Sequence, residues 1–158
     1  MAIVLLRIDD RLVHGQVVEG WLPQLKVDLV AVVSDVAADD KVQAALMKMA
    51  LPASVKLLVL KVSQAPQALA DAESRSILVL VPGPAEALAL LKGGVCVKRV
   101  NVGGLHYTVG KVQLGRALFL DQKDKAALKG IAELGVHLEG RALPSDPEEN
   151  LASILGGR

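Results

Sequence analysis

Residues 3–16 read IVLLRIDDRLVHGQ, and this stretch decides the fold. It begins with Ile3–Ile8, a short and largely apolar run of the kind that forms a strand buried on both faces. The run gives way at once to two aspartates, Arg11, His14 and Gly15. Such a change is typical of a buried strand that leads into a polar loop. It predicts a sheet protein with its chemistry at the end of the first strand.

The length and composition indicate one α/β domain that covers residues 1–158. A chain of 158 residues is long enough to bury a core of its own. Hydrophobic residues make up 52% of the chain, with one Trp, one Tyr and one Phe. Aliphatic parallel strands fit this composition, whereas a binder of single-stranded nucleic acid needs aromatic stacking platforms. The net charge of +1 implies no general attraction to nucleic acid or acidic lipid.

The sequence predicts a cytoplasmic protein. Its single cysteine, Cys96, excludes an internal disulfide and fits a reducing compartment, and it is expected to be a small buried hydrophobe. No apolar run reaches the roughly 18 residues that a membrane-spanning helix needs. The amino terminus lacks the basic segment, apolar stretch and small-residue cleavage site of a signal peptide.

Apolar runs and helical patterns alternate along the chain. Strands are expected at Ile3–Ile8, Leu29–Val33, Val55–Leu60, Ile77–Val81, Val97–Val102 and Ala117–Leu120, with a last, edge strand at Val136–Ala142. Helices are expected at Gln16–Leu22, closed by Pro23, and at Asp39–Ala50, Ser63–Ala72, Ala85–Lys92, Asp121–Leu134 and Glu148–Leu155. Alternating elements with short connections predict a doubly wound, mainly parallel sheet.

Ligands of such sheets bind beyond the carboxyl ends of the strands. The segments expected at those ends are Asp9–Gln16, Pro82–Pro84 and Asn101–Tyr107. Within the last segment, Gly103 and Gly104 are expected to form a tight turn, since they match no phosphate-binding glycine pattern. His106 in the same loop could approach the site.

His14 is the central candidate residue. Histidine is nucleophilic and exchanges protons near neutral pH, and arginine has the shape and charge to hold a phosphoryl group. Arg11 lies shortly before His14, Gly15 removes bulk beside the imidazole, and the helix start at Gln16 offers N–H groups to an anion. These residues are compatible with transient phosphorylation of the imidazole, and equally with a solvated loop histidine.

The two aspartates have more than one interpretation. Asp9 or Asp10 could accept a ring N–H of His14 and so set its tautomer, or it could pair with Arg7 or Arg11. Because adjacent side chains of an extended chain point in opposite directions, the two are not expected to share a metal ion. The three histidines show no metal-ligand spacing and there is no cysteine pair. We therefore expect neither a metal nor a cofactor.

The segment Arg7–Val17, RIDDRLVHGQV, resembles the phosphorylation-site segment of the IIB proteins of the mannose/fructose/sorbose class of the bacterial sugar phosphotransferase system (PTS). The likeness covers nearly the whole chain. Similar segments of that family lie where this chain has Leu46–Ala50 (LMKMA), Val100–Gly104 (VNVGG) and Leu143–Asp146 (LPSD). The first motif is specific, and the others support it by order and spacing.

The resemblance implies a fold and an activity. The fold is a three-layer α/β/α domain with a mainly parallel sheet in the order 3-2-4-1-5-6, to which one antiparallel edge strand can be added. The activity is that of a protein-Nπ-phosphohistidine–sugar phosphotransferase. A phosphorylated IIA protein or domain would be the donor, and a hexose-type sugar carried by membrane IIC and IID subunits the acceptor. Through these partners the chain, a monomer or weak homo-oligomer, would associate with the inner face of the cell membrane.

The resemblance also implies residue roles. His14 would take the phosphoryl group on its Nδ1 atom, Arg11 would clamp the phosphoryl oxygens, and Asp9 would orient or polarise the site. Gly15 and Gln16 would also bind the phosphoryl group, and Asp10, Gly103 and Gly104 would support the site. The alternative function is a regulatory or phosphorelay protein, phosphorylated on His14 but without a transport role. A nucleotide-binding module is disfavoured because the glycine fingerprint is missing.

Overall fold

The aliphatic runs form a sheet between two layers of helices. The computed structural model describes residues 2–116 and 118–156. Its strands are β1 Ile3–Asp9, β2 Leu29–Val33, β3 Lys56–Leu60, β4 Ile77–Val81, β5 Arg99–Gly104, β6 Val112–Leu114, β7 Leu118–Leu120, β8 His137–Gly140 and β9 Glu149–Asn150. A π-helical segment, Gln16–Trp21, leads into α1 Leu22–Leu25. The further helices are α2 Asp35–Ala38, α3 Lys41–Ala50, α4 Ala65–Asp71, α5 Pro84–Lys92, α6 Gln122–Glu133 and α7 Leu151–Gly156.

The main sheet has the strand order β3-β2-β4-β1-β5-β8-β9. Its neighbours pair in parallel, except that β8 and β9 are antiparallel. The three-layer fold, the mainly parallel pairing and the order 3-2-4-1-5 are confirmed. The sixth place in the sheet belongs to β8, while β6 and β7 form a separate antiparallel hairpin.

The strands that flank β1 on one side are buried on both faces. All residues of β2 (LVAVV) and β4 (ILVLV) are buried, as expected for parallel strands covered by helices. One face of the sheet packs against the π-helical segment and α3 through Val17, Trp21 and Met47. The other face packs against α5 and α6 through Leu90 and Leu128. These two apolar cores make the three layers.

Two helix boundaries differ from prediction for local reasons. Pro23 does not close the first helix, because the π-helical segment continues directly into α1 and Pro23 lies in the first turn of α1, where proline is tolerated. α3 begins at Lys41 because the cap is Asp40 and not Asp39. The Asp40 side chain accepts a backbone N–H of the first turn at 3.0 Å.

The carboxyl-terminal part departs further from the predicted pattern. The expected edge strand Val136–Ala142 corresponds to β8, which is not the edge because β9 pairs along its outer side. Since β9 directly precedes α7, the last helix begins at Leu151 and not at Glu148. The expected strand Ala117–Leu120 corresponds to β7, and Ala117 itself lies outside the described residues.

Two further predictions concern a membrane-spanning helix and the burial of Cys96. Within the described ranges, no helix combines the length and hydropathy needed to cross a membrane. The prediction that Cys96 is buried is wrong, since its side chain is exposed. The reason is that β5 begins only at Arg99 and leaves Cys96 in the preceding loop.

Candidate functional site

The carboxyl end of β1 lies inside the sheet, between β4 and β5. Its last residue, Asp9, pairs with Gly104, and the following N–H of Asp10 donates to the Gly104 carbonyl at 3.0 Å. The chain then turns at Leu12, whose φ of 60° is a left-handed conformation that costs a leucine about 1–2 kcal/mol. This turn delivers His14 to the edge of the sheet where doubly wound proteins bind ligands.

Asp9 lies at the centre of the site and is fully buried. Its Oδ2 accepts a hydrogen bond from Arg7 Nη2 at 2.9 Å and lies 2.7 Å from His14 Nε2. Its Oδ1 accepts the backbone N–H of Arg11 at 3.0 Å and lies 3.7 Å from the side-chain Nε of that residue. Both carboxylate oxygens are therefore surrounded by donors.

These contacts fix the charge of Asp9 and the tautomer of His14. Burial alone raises the pKa of Asp9, but hydrogen bonds from His14 and the Arg11 N–H, with the charge of Arg7, outweigh it and hold the pKa below its ordinary value. An ionised carboxylate can only accept, so the facing His14 Nε2 carries the proton. Nδ1 of the neutral ring then keeps a free lone pair.

The lowered pKa of Asp9 also links the site to folding. A group whose pKa is lower in the folded chain stabilises it most where the group is ionised in both states. This contribution is present above about pH 4, the ordinary range of an aspartate. It is lost as the pH falls through the lowered pKa of the folded state.

Arg11 and Gln16 lie together at the mouth of the site. Arg11 Nη2 donates to Gln16 Oε1 at 2.9 Å. The Arg11 side chain is 43% exposed, so its remaining N–H donors can meet an anion that arrives from solvent. The structure thus brings both predicted residues to the loop that carries His14.

The turn after His14 supplies backbone donors. The His14 carbonyl accepts the N–H groups of Val17 and Val18, both at 3.0 Å. Within the described part of the chain, no acceptor faces the N–H groups of Gly15 and Gln16, and free N–H groups at a helix start favour anions. Among the described residues, a Cβ on Gly15 would meet only one glutamate oxygen, in ordinary van der Waals contact at 3.7 Å, so apart from its chain neighbours little crowds this position.

Asp10 points away from Asp9 and binds the loop that follows β5. Its Oδ2 accepts the backbone N–H of His106 at 2.7 Å, and its Oδ1 lies 2.6 Å from His106 Nδ1. His106 therefore contacts Asp10 and not His14. Asp10 therefore links the loop after β1 to the loop after β5. Asp9 contacts His14, and Asp10 contacts His106.

Arg7 belongs to the site, although the sequence identified it only as a possible ion-pair partner. Its side chain is fully buried, and besides Asp9 it donates through Nη1 to Asn101 Oδ1 at 2.6 Å and to the Arg141 carbonyl at 3.2 Å. Burial lowers the pKa of Arg7, an effect that Asp9 partly offsets, and an arginine remains charged. The available signal was a charge inside an apolar strand, two positions from Asp9 and hence on the same face.

Gly103 and Gly104 are not the predicted turn. They are the last two residues of β5, and both are buried. A Cβ on Gly103 would lie 1.9 Å from Arg7 Cζ, and a Cβ on Gly104 would lie 3.3 Å from Asp9 Oδ1. Glycine is needed at position 103 because a side chain of β1 crosses over it.

Gly103→Ala is expected to destabilise the protein more than Gly104→Ala. The Cβ at position 103 overlaps a buried guanidinium that is held on several sides, whereas the contact at position 104 is only tight. We expect a loss of at least about 3 kcal/mol of unfolding free energy for Gly103→Ala and of about 1 kcal/mol for Gly104→Ala. Denaturant unfolding measures both values, and equal losses would contradict the crossing of Arg7 over Gly103.

The site combines a nucleophile with groups that can bind an anion. Among residues 2–116 and 118–156, no group of three or more His, Cys, Asp or Glu side chains could hold a metal ion. What the site offers is an imidazole oriented by a buried carboxylate, an exposed guanidinium and free N–H groups. This set suits a histidine that forms a short-lived bond to an anionic group.

Comparison with known proteins agrees with this chemistry. The family model described as "PTS system sorbose subfamily IIB component" matches residues 3–158. The N-acetylgalactosamine-specific phosphotransferase enzyme IIB component 2 of Escherichia coli K12 is 37% identical over 97% of this chain and 98% of its own length. The mannose-specific EIIAB component of the same strain is 34% identical over 98% of this chain and 49% of its own length.

A solved structure shows the same fold over nearly the whole chain. The IIBSor domain of the sorbose permease from Klebsiella pneumoniae matches with a TM-score of 0.93 and 31% identity, covering 99% of this chain and 98% of that one. The fold and site together define an α/β carrier of phosphoryl groups. The chain belongs to the sorbose subfamily of PTS IIB components, so it is a phosphotransferase of sugar transport.

Proposed function

We propose that Nδ1 of His14 is the atom that carries the phosphoryl group. The observation that supports this most directly is the 2.7 Å contact between His14 Nε2 and the buried Asp9 carboxylate. It keeps the ring proton on Nε2 and leaves the Nδ1 lone pair for attack on phosphorus. The His14 side chain is 15% exposed, so the ring is held by the protein and still faces solvent.

In the first step, His14 Nδ1 attacks the phosphorus of a phosphohistidine on a IIA protein or domain. The donor N–P bond breaks as the new bond forms, and its electron pair stays on the donor imidazole. The phosphorylated His14 ring keeps its Nε2 proton and becomes cationic, a charge that the adjacent Asp9 stabilises. In in-line transfer of this kind, the protein mainly positions the reacting groups and stabilises the charge of the transferred group.

In the second step, a hydroxyl of a hexose-type sugar held by membrane IIC and IID subunits attacks the phosphorus. The bond from phosphorus to His14 Nδ1 breaks, its electron pair returns to the ring, and the hydroxyl proton leaves to a base at the sugar site. The relatives reported above are named for N-acetylgalactosamine, mannose and sorbose at 31–37% identity. Similarity over the whole chain therefore favours no one of these sugars.

Arg11 supplies the positive charge for the transferred group. Its guanidinium lies beside the His14 loop, half-exposed and steadied by Gln16, where its planar fork can bind two phosphoryl oxygens at once. The free N–H groups of Gly15 and Gln16 add neutral donors to the same anion. Asp10, Gly103 and Gly104 support the site by fixing the neighbouring loop and the space for Arg7.

Arg11→Lys is expected to slow phosphorylation by about 10-fold or more, since lysine keeps the charge but loses the fork. Stopped-flow or quench-flow phosphorylation by a IIA donor measures the rate. Arg75→Lys is the matched control, because Arg75 pairs with Asp28 at 3.7 Å away from the site. If Arg11→Lys reacts at the rate of the control, Arg11 is only a structural partner of Asp9 and Gln16.

The donor and the membrane subunits would approach the carboxyl-end face of the sheet. The name of the Escherichia coli mannose relative joins the labels A and B, and this chain matches about half of that protein, 49%, which supports a IIA domain as the donor. Association with the inner face of the membrane would follow from binding to IIC and IID. Direct transfer requires the two histidines to come within a few ångströms, so the surfaces around both must meet.

Chemical-shift mapping with a cognate IIA is expected to show perturbations around His14, Pro82–Pro84 and the exposed end of Asn101–Tyr107. Tyr107 is 61% exposed, whereas Asn101 is buried and contributes no surface. Fast turnover favours an interface below about 1,200 Å², with rim charges that make association salt-sensitive. Perturbations confined to the amino-terminal ends of the strands, near Cys96, would rule out direct transfer through this face.

A regulatory protein phosphorylated on His14 but without a transport role is the less favoured function. The relatives reported above carry the names of sugar-specific components, which favours a role in transport. Incubation with the general phosphotransferase proteins, with and without a cognate IIA, tests the proposal. We expect rapid labelling of His14 only when IIA is present. No labelling, or labelling at another residue, would overturn it.

A further inference from the structure

Arg7 and His14 bind the same oxygen of Asp9. Arg7 Nη2 lies 2.9 Å from Asp9 Oδ2, and His14 Nε2 lies 2.7 Å from it. Because one oxygen serves both groups, its position relative to the imidazole depends on where Arg7 is held. A shift of this oxygen would change both the direction of the His14 ring and the preference for the Nε2 proton.

Both Nη atoms of the Arg7 guanidinium are held by specific groups, whereas its buried Nε has no hydrogen-bond partner among the described residues. Its Nη1 donates to Asn101 Oδ1 at 2.6 Å. Its Cζ lies 5.2 Å from the centroid of the Trp21 ring, and a Cβ on Gly103 would overlap it. Trp21 is itself anchored by a hydrogen bond from Nε1 to the Ala142 carbonyl at 2.9 Å.

These contacts continue across the sheet as a row of buried polar residues. The strand register places Arg7 of β1 opposite Asn101 of β5, and Asn101 opposite Glu139 of β8. All three side chains are fully buried. Asn101 accepts from Arg7 and donates through Nδ2 to Glu139 Oε2 at 3.2 Å, so its amide links a cation to an anion.

At the far end of the row, the charge of the Glu139 carboxylate is also neutralised. Glu139 Oε1 accepts from Arg99 Nη1 at 2.8 Å, and Glu139 Oε2 accepts from Arg141 Nε at 2.7 Å. Burying such charges brings little net stability, because desolvation offsets their attraction, but removing one partner is costly. What the row provides is a defined position for each of its members.

We propose that Arg7 is a positioning residue for His14, and that the row of Arg7, Asn101 and Glu139 sets the orientation of Asp9 from the neighbouring strands. This inference rests on the proposed function only in taking His14 as the phosphoryl acceptor. Arg7 does not touch the phosphoryl group. It acts through Asp9, by fixing the oxygen that holds the Nε2 proton and so keeping Nδ1 free.

Arg7→Lys tests the proposal, with Arg75→Lys as the matched control. Arg7 binds Asp9 and Asn101 through two separate Nη atoms of a rigid plane, whereas a lysine offers a single nitrogen on a flexible stem, so the carboxylate loses its fixed position. In the unphosphorylated protein, long-range ¹H–¹⁵N spectra of the His14 ring report the tautomer. We expect a single Nε2-protonated form in the wild type and in the control, and a mixture of tautomers in Arg7→Lys.

The rate of phosphorylation by IIA gives a second measurement on the same variants. We expect Arg7→Lys to be slower than the control by about 10- to 100-fold, the size of loss that a small misplacement of reacting groups produces. An unchanged tautomer together with a control-like rate would overturn the proposal. If the wild type is not phosphorylated at all, the proposed function fails, while the tautomer spectra still decide whether Arg7 positions His14.

Glu139→Gln extends the test to the far end of the row and serves if Arg7→Lys does not fold. Glutamine keeps the size of the side chain and an oxygen for Arg141, but it removes the charge and places a donor near Asn101 or Arg99. As for Arg7→Lys, we expect a mixture of His14 tautomers. The remaining phosphorylation rate should be about a third to a tenth of the wild-type rate. Wild-type spectra and rate in a folded Glu139→Gln variant would show that the row does not reach the site.

Discussion

Replacing His14 by alanine is expected to abolish phosphorylation and to leave the fold intact. No other group of the described site combines a free ring nitrogen with the adjacent guanidinium of Arg11. The side chain lies in a loop and not in either apolar core, and Asp9 keeps its hydrogen bonds with Arg7 and the Arg11 N–H. The stability loss should therefore be about 1.5–3 kcal/mol, the worth of one hydrogen bond to a charged group. Labelling with a phosphorylated IIA donor and circular dichroism measure the two effects.

The other two histidines are the controls for this result. His106 contacts Asp10, and His137 pairs with Glu148 at 2.6 Å on β8. His106→Ala and His137→Ala should both keep the label, and that label should be lost in acid and persist in base, as in a phosphoramidate. Label that survives in His14→Ala, or that maps to His106, would contradict the assignment of the acceptor.

Replacing Asp9 by asparagine should reduce the transfer rate by about 10²- to 10⁴-fold, as when a carboxylate that orients a catalytic histidine is lost. If the amide NH₂ faces His14, it forces the proton onto Nδ1 and removes the nucleophile. If the amide oxygen faces His14, the NH₂ group meets the Arg11 N–H, and two donors oppose each other. Either orientation also leaves the buried charge of Arg7 without its anion, at a stability cost of about 3–5 kcal/mol.

Two measurements separate chemistry from folding in this variant. The transfer rate is compared at a temperature where the variant is folded by circular dichroism, and the His14 ring nitrogens report the tautomer directly. Asp39→Asn is the control, because Asp39 is an exposed carboxylate that pairs with Lys61 at 3.6 Å. A transfer rate in Asp9→Asn equal to that of Asp39→Asn would show that Asp9 does not orient His14.

Most of the fold follows from local patterns in the sequence. The all-apolar runs at Leu29–Val33 and Ile77–Val81 are typical of buried strands of a parallel sheet, and the predicted bounds agree with the structure. Errors concentrated where tertiary pairing overrides local preference. β9 has only two residues and exists because β8 lies beside it, so a local pattern assigns the start of this segment to the last helix.

The candidate site divides in the same way. His14, Arg11, Gly15 and Gln16 lie close together in the chain, and their neighbourhood is evident from the order of the residues alone. Which aspartate serves His14 is not evident, because it depends on the direction in which β1 enters the loop. The structure gives Asp9 to His14 and Asp10 to His106.

The sequence by itself determined the alternation of strands and helices and the polar loop after the first strand, because these depend on neighbours within a few residues. Only the tertiary structure decided the surroundings of Arg7. Its contacts with Asn101 and the Arg141 carbonyl join residues 94 and 134 positions apart. Such contacts exist only once strand order and register place β1 beside β5 and β5 beside β8. Position 103 illustrates the difference, because glycine is needed there to make room for a side chain of another strand and not to give the backbone a special conformation.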